Sequence, residues 1–241
     1  MERAVAIEMG EGSASGFFYS EAGEPKRGVL FLTDAGGIRR AMREAAARLA
    51  SRGYAVLLPN VFHRVGDPPF FTPPLDMTNP DVRATFGKLL GSLPAAAMEQ
   101  DGGRYVDFLA AQPETKAMPV AVVGHCMSGA MSLRTAAARP DQVGVAVSFH
   151  GGRLVTDSPE SPHLLLPRIK ARLYFGHAVK DASMPQDAID KLGAALAAWG
   201  GRYENQVYDG ALHSWTTKDS PVYDEAQAER AFDKLLELLA S

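Results

Sequence analysis

The chain carries a single cysteine in 241 residues. No internal disulfide can form, and no zinc site can be built on several thiolates. That usage is compatible with a reducing compartment, and a cytoplasmic location is the expectation. There is no His-x-x-x-His pair and no carboxylate cluster, so neither a metal nor another cofactor is expected. Blocks of Lys and Arg are missing too, and the net charge is −3 with a pI near 6.1. Nucleic acid and anionic membrane surfaces therefore find nothing to grip. No apolar run approaches the roughly 18 residues that a membrane-spanning helix needs. The start, Met1-Glu2-Arg3-Ala4-Val5, lacks the basic and apolar regions of a secretory signal. What remains is a chain with 46% apolar and 22% charged residues, long enough to bury a full core without staples.

The apolar residues fall into short continuous runs alternating with helical periodicity. Gly28–Thr33, Tyr54–Leu58, Pro119–Val123, Gln142–Phe149, Ala171–Phe175 and Tyr203–Tyr208 read as strands, most of them apolar on both faces. Ala4–Met9 and Ser15–Tyr19 read as one or two strands ahead of them. Between the runs lie helical segments at about 39–51, 94–111, 127–139, 185–199 and 222–240. Met42, Ala45, Ala46 and Leu49 mark one apolar face at i, i+3, i+4 and i+7. Pro94 is expected at the first position of its helix. Strand–helix–strand repetition predicts an α/β fold: a single domain over 1–241, with a mostly parallel sheet flanked by helices on both faces. One stretch breaks the pattern. Residues 59–93 hold six prolines between Pro59 and Pro80, together with Phe62, Phe70 and Phe71. They read as a folded excursion over one edge of the sheet, with a short helix near 82–90.

In open α/β sheets, ligands bind beyond the carboxyl ends of the strands. Four polar turns lie at those ends, carrying Asp34, Cys126, Asp181 and His213. Val122-Val123-Gly124-His125-Cys126-Met127-Ser128-Gly129 has the form of a nucleophile elbow, strand then one strained residue then helix, with cysteine where most elbows carry serine. A thiol attacks as the thiolate and needs a base. The base in turn needs an acceptor that fixes its tautomer. Later strand ends supply both, in the order nucleophile, acid, histidine that hydrolases with this elbow follow. Plainer readings stand beside this one: Cys126 as a small buried hydrophobe, Ser128 as the nucleophile, Asp181 as a helix cap, His213 as a loop residue. Met127 follows the nucleophile and opens a helix, so its N–H is placed to stabilise an oxyanion.

Gly124-His125-Cys126-Met127-Ser128-Gly129, Asp181 with Pro185, and Tyr208-Asp209-Gly210-Ala211-Leu212-His213 together resemble the dienelactone hydrolase family of the α/β-hydrolase superfamily, over nearly the whole chain. The resemblance implies a Cys126–His213–Asp181 triad and an oxyanion hole from the backbone of Met127 and Ala35. It implies a small ester or lactone as substrate, opened through a thioacyl-enzyme. Two positions depart from the family. Asp34 stands where members that open dienelactones carry a Glu that holds and activates the thiol. Thr217 stands where they carry an arginine for the substrate carboxylate, with Arg83 or Lys218 as alternatives. A broad-specificity esterase for neutral esters or lactones is the expectation. Trp215, Phe70, Phe71, Met127 and His150 are candidates for the pocket, and His177 is a further strand-end histidine. Phosphotriester hydrolysis by the same thiolate is an alternative. A ligand-binding or redox-sensing module without turnover is another. The oligomeric expectation is a monomer or small homo-oligomer.

Overall fold

The computed structural model describes residues 1–72 and 78–241. Eight strands among them form one sheet: β1 (Glu2–Glu8), β2 (Ser13–Tyr19), β3 (Gly28–Leu32), β4 (Ala55–Pro59), β5 (Val120–His125), β6 (Val143–Phe149), β7 (Arg172–His177) and β8 (Tyr203–Val207). Their spatial order is β1-β2-β4-β3-β5-β6-β7-β8. β1 and β2 pair antiparallel with each other, β2 pairs antiparallel with β4, and every later pair is parallel. The continuous apolar runs are the central strands. Every residue of β3, β4 and β5 is buried, since a parallel strand covered on both faces has no solvent side. The polar Tyr203–Val207 run is the edge strand β8, half-buried along its length.

Helices cover both faces: α1 (Arg40–Ala50), α2 (Pro80–Gly91), α3 (Ala95–Ala110), α4 (Ser128–Ala138), α5 (Gln186–Trp199) and α6 (Glu225–Ala240). Two cores result. α1 and α6 close the face that carries Val29, Phe31, Val123 and Phe149. α3, α4 and α5 close the other, over Leu30, Leu57, Val122 and Phe175. Each fully buried side chain of this size stabilises the fold by about 1.5–3 kcal/mol relative to exposure.

Three local expectations need correction. Pro94 precedes α3 in an extended conformation, and the helix starts at Ala95. The terminal helix starts at Glu225 rather than near Val222, where Asp224 accepts from the Gln227 N–H. A 3-10 helix at Pro162–Arg168 has no counterpart in the periodicity, because Pro162 and Pro167 interrupt it. In the excursion, the expected short helix is α2, capped by Asn79, whose side chain accepts from the Asp81 N–H at 2.9 Å. Residues 73–77 of the excursion lie outside the described residues. Its first turn is fastened to α3 by a buried carboxylate: Asp101 accepts from both Arg64 Nη atoms at 2.5 and 2.8 Å and lies 3.4 Å from His63 Nε2.

Candidate active site

Cys126 sits at the carboxyl end of β5 with φ of 55°, left-handed geometry that a residue with a Cβ adopts only when its surroundings impose it. The other non-glycine residues with positive φ are His150, Arg153, Lys180 and Ser214. All follow strands β6, β7 or β8 on the same edge, so the strain among the described residues is concentrated where ligands of this sheet class bind. The turn is tight enough to dictate its glycines. A Cβ on Gly124 would lie 1.9 Å from the Ser128 carbonyl oxygen, and one on Gly129 would lie 2.3 Å from Ser148 Oγ. Ser128 is fully buried and donates to the Thr33 carbonyl at 2.6 Å. Its hydroxyl is committed to holding α4 against β3, which removes it as a nucleophile.

The half-exposed Cys126 Sγ lies 3.1 Å from His213 Nε2. On the far side of the ring, Nδ1–H donates to Asp181 Oδ2 at 2.6 Å. The other carboxylate oxygen of Asp181 accepts from the Ser183 backbone N–H at 2.8 Å and from its hydroxyl at 2.6 Å. Burial works against charge on Asp181, but these donors hold its carboxyl below the usual range. Burial likewise disfavours the His213 imidazolium, yet the hydrogen bonds to Asp181 and Cys126 prevail and raise it to about 10. Thiol, imidazole and carboxylate thus form one proton path.

The register of the parallel pair β3 and β5 sets Leu32 beside Gly124. Ala35 and Met127 each follow three residues later, past the strand ends. Met127 is already helical, with φ −56° and ψ −30°. Neither backbone N–H donates to an acceptor among the described residues, so both are free to meet an oxyanion.

Among the described residues no hydrogen bond joins Asp34 to the thiol. Its Oδ1 accepts from Arg39 Nη1 at 2.6 Å and from the Gly36 N–H at 2.9 Å, and its Oδ2 accepts from Arg39 Nη2 at 2.9 Å. Arg39 reaches on to Asp219 at 2.8 and 3.1 Å. These bonds give Asp34 a structural role beside the expected activating one: the shorter side chain closes its own turn and ties the Ala35 loop to the loop after His213. Sequence reasoning missed Arg39 and Asp219 as functional neighbours, although an arginine five residues after Asp34 was a readable signal.

His150 and Trp215 are not pocket walls. His150 is 1% exposed; its Nδ1 accepts from the Cys126 N–H at 3.1 Å, and its Nε2–H donates to Thr216 Oγ1 at 2.8 Å. Burial, reinforced by the neighbouring His125 and His213, keeps this ring neutral. Trp215 is completely buried, 4.8 Å from the Tyr208 ring and 5.1 Å from His150. A histidine at a strand end and a tryptophan near a catalytic loop pointed outward by type alone; both face inward because the α6 face of the sheet needs them as core. His177 is buried as well, its Nε2 bonded to Asn205 Oδ1 at 2.6 Å. Phe70 and Phe71 are half-buried. Phe70 packs edge-on to Phe62 at 5.7 Å and abuts Gly37, so the excursion does lie over the Asp34–Gly37 turn. Met127 is half-buried beside the same core. Thr217 is buried, and Arg83 on α2 donates to the Thr78 carbonyl oxygen. Among the described residues no group of three His, Cys, Asp or Glu side chains is placed to hold a metal ion.

The model of the dienelactone hydrolase family matches residues 15–241. The chain belongs to that family. Its hydrolytic chemistry is accordingly that of ester and lactone bonds in small molecules. A carboxymethylenebutenolidase of Rhodococcus opacus is 29% identical over 188 residues, covering 78% of this chain and 69% of the relative. Among solved structures, a dienelactone hydrolase-like promiscuous phosphotriesterase from metagenomic libraries aligns with TM-score 0.82 and 24% identity, over 100% of this chain and 97% of that one. A dienelactone hydrolase of Anabaena variabilis aligns with TM-score 0.69 and 20% identity, over 98% and 94%. No helix among the described residues is long and apolar enough to cross a membrane.

Proposed function

We propose that this member hydrolyses uncharged carboxylic esters or lactones with broad specificity, through a thioacyl-enzyme on Cys126. The observation that carries the reading is the unbroken contact from Asp181 through His213 to Cys126 Sγ, at 2.6 and 3.1 Å. His213 holds the thiol's proton on Nε2 as the imidazolium, and Sγ attacks the acyl carbon as the thiolate. The carbonyl oxygen becomes an oxyanion beside the Met127 and Ala35 N–H groups, where each donor is worth about 3–4 kcal/mol in comparable enzymes. Collapse breaks the acyl C–O bond, and His213 returns the proton to the departing alkoxide, which for a lactone stays tethered to the acyl group. Water then attacks the thioester with His213 as base, and the acid leaves with Sγ regenerated. Asp181 stays ionised throughout and stabilises the imidazolium.

The preference for uncharged acyl groups rests on Thr217. A buried threonine cannot replace the bidentate grip of an arginine on a substrate carboxylate. Turnover of a p-nitrophenyl ester by the wild type, Cys126→Ala and His213→Ala tests the mechanism. Both variants are expected to lose at least about a thousandfold in kcat/KM; undiminished turnover in either would remove the proposal. γ-Butyrolactone against a carboxylate-bearing dienelactone tests the specificity, with the uncharged ring expected to be the better substrate.

A second reading has one observation in its favour, the structural likeness to the phosphotriesterase. The same thiolate would attack phosphorus and expel the aryloxide. Paraoxon turnover that disappears in Cys126→Ala supports it, and no turnover by the wild type discards it. Stoichiometric acylation without a second turnover would instead favour a non-catalytic sensor.

A further inference from the structure

Behind the elbow, on the α1 and α6 side of the sheet, lies a cavity of about 170 Å³. Phe31, His125 and Phe149 form its floor, and Met42, Phe232 and Leu235 stand in its walls. None of Cys126, Met127, Ala35, Asp181 or His213 lines it, while Thr217 does, so it lies behind the reacting groups and shares Thr217 with the proposed specificity position. Its size decides what class of molecule fits, since apolar cavities of about 150 Å³ accommodate a single benzene-sized ring. Three phenylalanines and a methionine thioether surround that volume, favouring an aromatic occupant over an aliphatic one of equal bulk.

Charged and hydroxyl side chains complete the wall, Glu44, Arg48, Thr216, Thr217, Lys218 and Glu229 among them, while His125 is the polar group beside the Phe31 and Phe149 rings, at 4.7 and 5.8 Å. His125 is 7% exposed, and its Nδ1–H donates to the Leu32 carbonyl at 3.1 Å. A carbonyl oxygen only accepts, so Nδ1 carries the proton, and burial keeps the ring neutral. Nε2 is therefore a lone-pair acceptor, and it has no partner among the described residues. An acceptor in a cavity wall that no protein donor meets is open to a ligand donor.

We propose that this cavity is a second small-molecule site, selective for a single-ring phenol whose hydroxyl donates to His125 Nε2. The ring lies against Phe31, Phe149 and Phe232, and the hydroxyl donates to the acceptor that no protein group meets. Toluene, of nearly the same shape, fills the same space without the hydrogen bond. Calorimetric titration of phenol and toluene into the full-length protein, after alkylation of Cys126 with iodoacetamide to block the thiol site, measures the difference. Phenol is expected to bind at least about fivefold tighter than toluene. His125→Phe keeps the aromatic floor but removes the acceptor, so the preference should disappear while toluene still binds. Ala45→Phe, at a half-buried position in the cavity wall, fills the space and should weaken both ligands at least tenfold while p-nitrophenyl ester turnover of the unalkylated variant persists. Equal affinities for phenol and toluene in the wild type, no binding of phenol, or binding undisturbed by Ala45→Phe would each overturn the proposal. The first and third arms do not depend on His125→Phe folding.

Discussion

Asp181→Asn places the sharpest demand on the triad geometry. Both carboxylate oxygens accept: Oδ2 from His213 Nδ1–H at 2.6 Å, Oδ1 from the Ser183 N–H and hydroxyl at 2.8 and 2.6 Å. An asparagine must turn its NH₂ toward one side or the other. Toward Ser183 it meets the backbone N–H, donor against donor. Toward His213 it forces the proton onto Nε2, and that nitrogen can no longer accept from Cys126 Sγ. The loss of charge can be sized from the imidazolium, which stands at about 10 against 6.5 for an unperturbed ring. At about 1.4 kcal/mol per pH unit, that rise is worth roughly 4–5 kcal/mol. Cys126 supplies part of it, and the His213 side chain is 30% exposed, so solvent screening removes more. About 2–4 kcal/mol remains as the share of Asp181, which corresponds to a fall in kcat/KM of roughly 30- to 1000-fold. The comparable change in a serine triad costs about 10⁴-fold; a thiol ionises more readily than a hydroxyl and depends less on its base. Turnover of a p-nitrophenyl ester at pH 7.5 measures the rate, and an NMR titration of His213 measures its charge. Ser183→Ala is the control, since the backbone donor to Oδ1 persists and the loss should stay below about tenfold. If Asp181→Asn kept kcat/KM within threefold of wild type while His213 still titrated near 10, Asp181 would be neither the source of the imidazolium's stability nor the group that fixes its tautomer.

The same ring sets a pH dependence of stability. Its folded value is raised, so His213 contributes stability that is complete below pH 6.5 and is lost as pH rises through about 10. Urea midpoints should therefore fall between pH 6.5 and 10 in the wild type, and much less in Asp181→Asn. Gly124→Ala puts a Cβ 1.9 Å from a backbone oxygen of α4, and neither strand nor helix can yield. A loss of about 3 kcal/mol or more is expected, seen as a shifted denaturation midpoint or failure to accumulate soluble protein. Arg39→Met leaves Asp34, whose side chain is 9% exposed, without its bidentate partner. A stability loss of about 2–3 kcal/mol is expected, with a lower kcat at nearly constant KM, because the freed turn carries the Ala35 N–H.

Those outcomes depend on features of very different visibility in the chain. The central strands were legible because β3, β4 and β5 are continuous apolar runs, and parallel strands buried on both faces write themselves that way. Cys126, Asp181 and His213 were legible because each ends or follows a strand, and strand ends of a parallel sheet converge on one edge. What side chains do once they reach that edge was not. His150 and His177 end their strands much as His125 ends β5, yet they turn to Cys126 N–H and Asn205 instead of to solvent. Local pattern does not encode which side of the strand end the core occupies.

Asp34 shows the limit most directly. Its position in the chain, at the end of β3 beside the elbow, admits both an activating and a structural role. The choice is made by Arg39, and Arg39 is held in turn by Asp219, 180 residues further on. Once both guanidinium faces are occupied by carboxylates, turning Asp34 toward Sγ would break two charge-assisted hydrogen bonds and leave a largely buried arginine with one partner. A cycle of Arg39→Met and Asp34→Asn separates the roles. If Asp34 acts only through Arg39, the double variant should be no slower than Arg39→Met alone. If Asp34 also reaches the thiol, it should be slower by a further factor, and the rate of Cys126 alkylation should fall with it.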